Sequence, residues 1–217
     1  PQSEGPLHWD VIWRDLLDLP AISEVLESLI GNPNLLEARK EKYGVPMPTF
    51  RLDHINVHTH VSKGFEGGRL HGGWNGTAGL YRYDNGVMYN GLTTVSFELF
   101  DTKPNNGGFA CIPGSHKANL QLPDKWRDLS TGVNKCVERV AAKPGDAIVF
   151  TEALTHGTLP WEVDEKRTTV FYKFSPHALT WSADFFNPDD YVDYEDMDRR
   201  KLALLEKPNA RYPQRPR

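Results

Sequence analysis

The sequence is poor in the residue that staples small secreted proteins: two cysteines, Cys111 and Cys136, occur in 217 residues. A disulfide framework is thereby excluded, and a reducing compartment is expected. Long apolar runs are equally scarce, because charge interrupts them every few residues, and Pro1-Gln2-Ser3-Glu4-Gly5 has nothing of a signal peptide's apolar stretch. Neither a membrane span nor an export signal is expected, and the chain reads as soluble, intracellular and cytoplasmic. No charge dominates either: 25 Lys and Arg stand against 29 Asp and Glu, a formal net charge of -4. Without a recurring basic cluster the footprint of a nucleic-acid partner is missing. The basic residues Arg199-Arg200-Lys201 and those from Arg211 to Arg217 read as solvated surface. Two catalytic signatures are also lacking, the Gly-x-Ser-x-Gly elbow and the Gly-rich phosphate loop.

What is present suits a single domain of residues 1–217, large enough to enclose a pocket. The start on Pro1 rather than Met is expected to reflect a first segment removed or not included. Helical periodicity runs from Trp9 to Ile30, interrupted at Pro20 and stopped at Gly31, so the N-terminal helices are expected over about 9–31. From about 49 to 176 the pattern becomes β-rich: Phe50–Val61, Thr93–Phe100, Gly108–Ile112, Val137–Ala141, Ala147–Thr151 and Thr168–Ser175, separated by Gly, Pro, Asn and Asp clusters. Such spacing predicts a sandwich or barrel. Residues 177–217 read as a packing tail, acidic and aromatic at first, with a short helix between Glu195 and Leu205.

The functional signal is a pair of histidines, His71 in Arg69-Leu70-His71-Gly72-Gly73-Trp74 and His156 in Thr155-His156-Gly157-Thr158, with Arg167 eleven residues after the second. Two neutral imidazoles suit a borderline metal ion. A two-histidine, one-carboxylate iron site would want Asp or Glu two residues after the first His, and that place is Gly73.

Four phrases in order carry a resemblance. They are Asn106-Gly107-Gly108 followed by Cys111-Ile112-Pro113-Gly114-Ser115-His116-Lys117, then Lys143-Pro144-Gly145-Asp146-Ala147-Ile148-Val149-Phe150, then Leu154-Thr155-His156-Gly157-Thr158, then Arg167. Together they resemble the phytanoyl-CoA dioxygenase family. The resemblance implies a mainly β fold with flanking helices, a double-stranded β-helix of jelly-roll, cupin-like type. It implies Fe(II) held by His71 and His156, and 2-oxoglutarate held through its far carboxylate by Arg167, with Thr158 and Ser96 assisting. A guanidinium gives a carboxylate two parallel donors, which Lys would not. The implied reaction uses O2 to oxidise a C–H bond of a small organic substrate while 2-oxoglutarate is decarboxylated to succinate.

Three readings of Gly73 stand. It resembles the iron halogenases of the same superfamily, where a chloride takes the position of the missing carboxylate. Alternatively water or a carboxylate from elsewhere completes the site, with Glu98 the favoured replacement ligand and Asp84 and Glu66 behind it. Or the chain is a non-catalytic jelly-roll binding protein. Around the metal pair, Trp74, His58, Tyr81 and Arg82 are expected to line the substrate pocket, with Tyr89 and Arg69 nearby, and residues 72–90 to form a lid or wall. His54, His58 and His60 make a weaker alternative metal cluster. His116 reads as a structural turn residue and Lys63 as a solvated lysine.

Overall fold

The strands form two main antiparallel sheets and a separate two-stranded hairpin. The computed structural model describes residues 5–208 except 33–34, 37–38, 41–43, 73–78, 119, 121 and 130–131. The strands are β1 (Phe50–His60), β2 (Tyr81–Asp84), β3 (Val87–Asn90), β4 (Thr93–Glu98), β5 (Gly108–Cys111), β6 (Glu138–Arg139), β7 (Ala147–Thr151), β8 (His156–Leu159) and β9 (Arg167–Pro176). The larger sheet has the order β1-β9-β4-β7 and the smaller β6-β5-β8, while β2 and β3 form a hairpin of their own. The fold is the jelly-roll expected, mostly β with few helices.

In β9 the residues Arg167, Thr169, Phe171 and Lys173 share one face, and Val170, Tyr172 and Phe174 the other. The second set faces outward and is buried by helices. Val95, Phe97, Val170, Tyr172 and Phe174 pack with Leu17, Leu26 and Ile30 in the main hydrophobic core. Those helices start where the sequence punctuates the chain. Asp10 caps α1 (Val11–Asp15) by accepting from the Ile12 amide at 3.2 Å. Pro20 begins α2 (Pro20–Ile30), a position where its missing N–H costs nothing. The predicted break at Pro20 is therefore a helix start.

The tail closes the core's far side. Phe186, Tyr191 and Met197, with Leu204 of α3 (Arg199–Leu204), are buried in it, whereas Trp181 and Phe185 stay exposed. Arg14 clamps the tail with two hydrogen bonds to Asp196, at 2.7 and 2.9 Å. Asp53, fully buried in β1, accepts from Arg51 at 3.0 Å and from the amides of Trp181 and Ser182 at 2.9 and 3.0 Å, with the His54 ring 2.7 Å away. Burial alone would raise its pKa, but His54, these amides and Arg51 outweigh that and hold it down to about 2.

The predicted lid is in part the β2–β3 hairpin, whose turn is centred on Asn85 and Gly86, both at positive φ (48° and 82°), as Asn-Gly hairpins require. Asp84 therefore ends a strand. The segment after Leu154, which carries His156 and Thr158 on one strand face, is strand β8 of the smaller sheet. No helix among the described residues is long and apolar enough to cross a membrane.

Candidate metal centre

His156 opens β8, and His71 lies beside it in an isolated antiparallel bridge. Two backbone hydrogen bonds fix the pair, His71 N to His156 O at 2.8 Å and His156 N to His71 O at 2.9 Å, so the ring centroids sit 4.3 Å apart. Gly72 permits this closeness. It has φ +92°, and a Cβ there would collide with the carbonyl oxygens of Leu154 and Glu152.

The orientation of both rings is set by backbone. His156 Nδ1 lies 2.8 Å from the Leu154 carbonyl and His71 Nδ1 3.1 Å from that of Arg69. A carbonyl only accepts, so each Nδ1 carries a proton and, in the neutral ring, Nε2 keeps the lone pair. This is the tautomer of a metal-binding imidazole. Burial, with the neighbouring His71 also contributing, pushes the His156 pKa well below the usual imidazole value against the opposing pull of Glu152. The ring is thus neutral, the form that binds metal.

Glu152 completes the cluster. The turn after β7, closed by Leu154 N on Thr151 O at 2.9 Å, brings this residue back to His156, and its Oε2 lies 3.7 Å from His156 Nε2. One ligand atom from each of His71, Glu152 and His156 lies within 4.8 Å of the others. Lys173 Nζ holds the other carboxylate oxygen at 2.8 Å and the Thr94 hydroxyl donates to it at 3.0 Å. Burial raises the pKa of Glu152, but Lys173, His156 and these hydrogen bonds more than offset it, so the carboxylate is ionised. Two neutral nitrogens and one carboxylate are a donor set that suits Fe(II) or a similar divalent ion.

Glu98 does not join this cluster. Its carboxylate accepts from Arg167 Nη2 at 3.2 and 3.1 Å, from Ser96 Oγ at 2.8 Å and from Thr169 Oγ1 at 2.8 Å. The expectation of Glu98 as replacement ligand is thus corrected: its oxygens are consumed by the guanidinium and two hydroxyls. Glu66 and Asp84 are likewise outside the cluster. Ser96 supports Glu98 rather than facing the cavity. Arg167 is 3% exposed, and its Nε has no acceptor among the described residues.

A cavity of about 80 Å³ adjoins the histidines, lined by Asn56, His58, Phe171 and Lys173 from the larger sheet and by Phe109 and Thr158 from the smaller. His58 and Thr158 thus both line the cavity beside the histidines. Tyr81 instead packs edge-on against His116 at 5.3 Å, and Arg82 lies over Tyr89 at 4.5 Å, both away from the cavity. Gly73 and Trp74 lie outside the described residues. His54, His58 and His60 form no cluster: His54 is bound to Asp53, His58 lines the cavity and His60 stacks on Phe65 at 4.4 Å.

Sequence reasoning missed Glu152 and Lys173. Both were recoverable by parity, since 148, 150 and 152 lie on one face of the strand course, as do 167, 169, 171 and 173.

The phytanoyl-CoA dioxygenase (PhyH) family model matches residues 7–168. No curated protein matches the sequence. Among solved structures, HygX from Streptomyces hygroscopicus with iron bound superposes with a TM-score of 0.64 at 18% identity, covering 82% of this chain and 73% of that one. HygX with nickel, 2-oxoglutarate and hygromycin B bound gives 0.60 at 20% identity, covering 77% and 66%. The nickel complex of ThoJ, a non-haem monooxygenase, gives 0.53 at 16% identity, covering 81% and 58%. The chain thus spans about two thirds of the length of HygX.

Proposed function

Because the chain belongs to the phytanoyl-CoA dioxygenase (PhyH) family, we propose that it is an Fe(II)- and 2-oxoglutarate-dependent oxygenase acting on a C–H bond of a small organic substrate. The observation that carries this reading is the pair of Nδ1 contacts to backbone carbonyls on His71 and His156, which leave Nε2 of each ring as the metal-binding nitrogen. When bound, iron with 2-oxoglutarate supplies O2 activation coupled to decarboxylation to succinate. The protein's own contribution is positional. His71 and His156 hold the metal, and Phe109, Phe150 and Phe171 around the cavity limit water. Arg167, with one buried donor still unpartnered, and Thr158 hold the far carboxylate of the cosubstrate.

An anaerobic titration with Fe(II) and 2-oxoglutarate tests this. A visible metal-to-ligand charge-transfer band is expected in the wild type, absent in His156→Ala and weakened in Arg167→Ala, with succinate formed on admitting O2. A band with unchanged 2-oxoglutarate affinity in Arg167→Ala would overturn the role given to that residue. A second reading, a binding protein without turnover, is favoured by one observation: Glu98 already occupies Arg167. Iron binding without any succinate would select it.

A further inference from the structure

We propose that Glu152 is the third protein ligand of this centre, supplying from the turn after β7 the carboxylate that the sequence lacks at Gly73; this rests on the metal-centre reading above. Donors held about 2.1 Å from one ion lie between about 3 Å apart at a right angle and about 4.2 Å apart across it. The 3.7 Å between Glu152 Oε2 and His156 Nε2 falls in that interval. The two carboxylate oxygens are divided in labour. Oε1 takes the Lys173 ammonium and the Thr94 hydroxyl, and Oε2 is left to face the imidazole. That is the arrangement of a ligating carboxylate fixed by outer hydrogen bonds.

Lys173 is a positioning residue. Its stem comes from β9 and its ammonium fixes Oε1 of the carboxylate at 2.8 Å. Gly72 matters here as well, because the absence of a side chain lets the His71 segment pack directly on the Glu152 and Leu154 carbonyls. The ligand that a neighbouring residue of His71 would ordinarily bring is therefore brought by the chain against which His71 packs. With Glu152 ligating, the position that a halide takes in a halogenase is filled by a protein carboxylate, so the centre is that of an oxygenase rather than of a halogenase.

The alternative is that Glu152 serves only as counter-ion to Lys173. Nickel titration calorimetry of the full chain, with visible spectra of the cobalt-loaded protein, separates the two. Wild type should bind one equivalent, and His156→Ala should not. Glu152→Gln keeps the volume and an acceptor for Lys173 and Thr94, and should weaken binding more than about tenfold, since even an outer partner is worth that much. It should also change the cobalt spectrum, and Gly73→Asp placed on Glu152→Gln should recover affinity. If Glu152→Gln misfolds by circular dichroism, Glu152→Asp, which keeps the charge and withdraws the oxygen, should show the same weakening in a folded protein. Wild-type affinity with an unchanged spectrum in a folded Glu152 variant would overturn the proposal while leaving the metal centre standing. No binding by the wild type would remove the centre itself, and the proposal with it.

Discussion

Glu98 and Arg167 face each other from adjacent strands with both side chains buried, Nη2 of the arginine lying 3.2 and 3.1 Å from the two carboxylate oxygens. Ser96 and Thr169 donate to the same oxygens. The carboxylate is bound as a cosubstrate carboxylate would be, by a guanidinium and hydroxyls. Any incoming dicarboxylate must share Arg167 with a resident acid.

Glu98→Gln should therefore behave in two opposite ways. Removing one partner of a buried pair leaves the other charge uncompensated, and about 3–5 kcal/mol of stability should be lost. The same change frees Arg167, so 2-oxoglutarate should bind more tightly and raise the melting temperature further than it does in the wild type. Differential scanning fluorimetry with and without 2-oxoglutarate reads both. A smaller ligand-induced shift in the variant would show that Glu98 does not compete.

Asp53 governs the acid limb of stability. Its pKa falls from 3.8 to about 2 on folding. A carboxyl more acidic in the folded than in the unfolded chain stabilises fully above its ordinary value and loses that contribution as pH falls towards the folded one. Urea midpoints measured between pH 5 and pH 2 should fall through this window in the wild type. In Asp53→Asn this contribution to the slope should vanish, and at neutral pH the variant should be less stable by about 3–5 kcal/mol, because Arg51 stays buried without its counter-ion.

Gly72→Ala should disturb the metal pair through the backbone. The added Cβ meets the carbonyls of Leu154 and Glu152 at a residue with φ +92°. Strain of about 1–3 kcal/mol is expected, relieved by moving His71 away from His156. Nickel affinity should fall together with stability, and an affinity equal to wild type would show that the bridge geometry is dispensable.

Leu26→Ala, in α2, tests the other side of the larger sheet. Leu26 is wholly buried in the main core, so a loss of about 2–5 kcal/mol is expected in urea denaturation. Metal affinity measured on the folded variant should be unchanged, since no atom of α2 approaches the cavity.

The legible parts of the sequence were those with short-range causes. Ala147–Thr151 was bounded by Pro144-Gly145-Asp146, and β9 was a run of alternating β formers, so both strands stood out. His156 and Arg167 stood out because ordered phrases surrounded them, and His71 because it offered the second imidazole, in Arg69-Leu70-His71-Gly72-Gly73. Glu152 escaped because Glu-Ala-Leu between two motifs looks like a loop, and nothing local reveals that a turn returns it to His156. Glu98 was misassigned for a related reason. Its inward parity with Ser96 was readable, but its partner was not, because pairing of β4 with β9 joins residues about 70 positions apart. Long-range pairing decides which inward carboxylate meets a cation and which meets the histidines.

The larger sheet is a partition with different contents on its two sides. Towards the helices lie Leu52, Val95, Phe97, Tyr172 and Phe174, and towards the cavity lie His58, Glu98, Glu152, Arg167 and Lys173. The main apolar core is thus separated by one layer of backbone from the polar and charged groups of the inward face. The inward face can be rewritten with little risk to the outward one, provided each buried charge is exchanged along with its partner. A carboxylate on the inward face can therefore be moved from one strand to another while the outward face keeps the contacts that fold the chain.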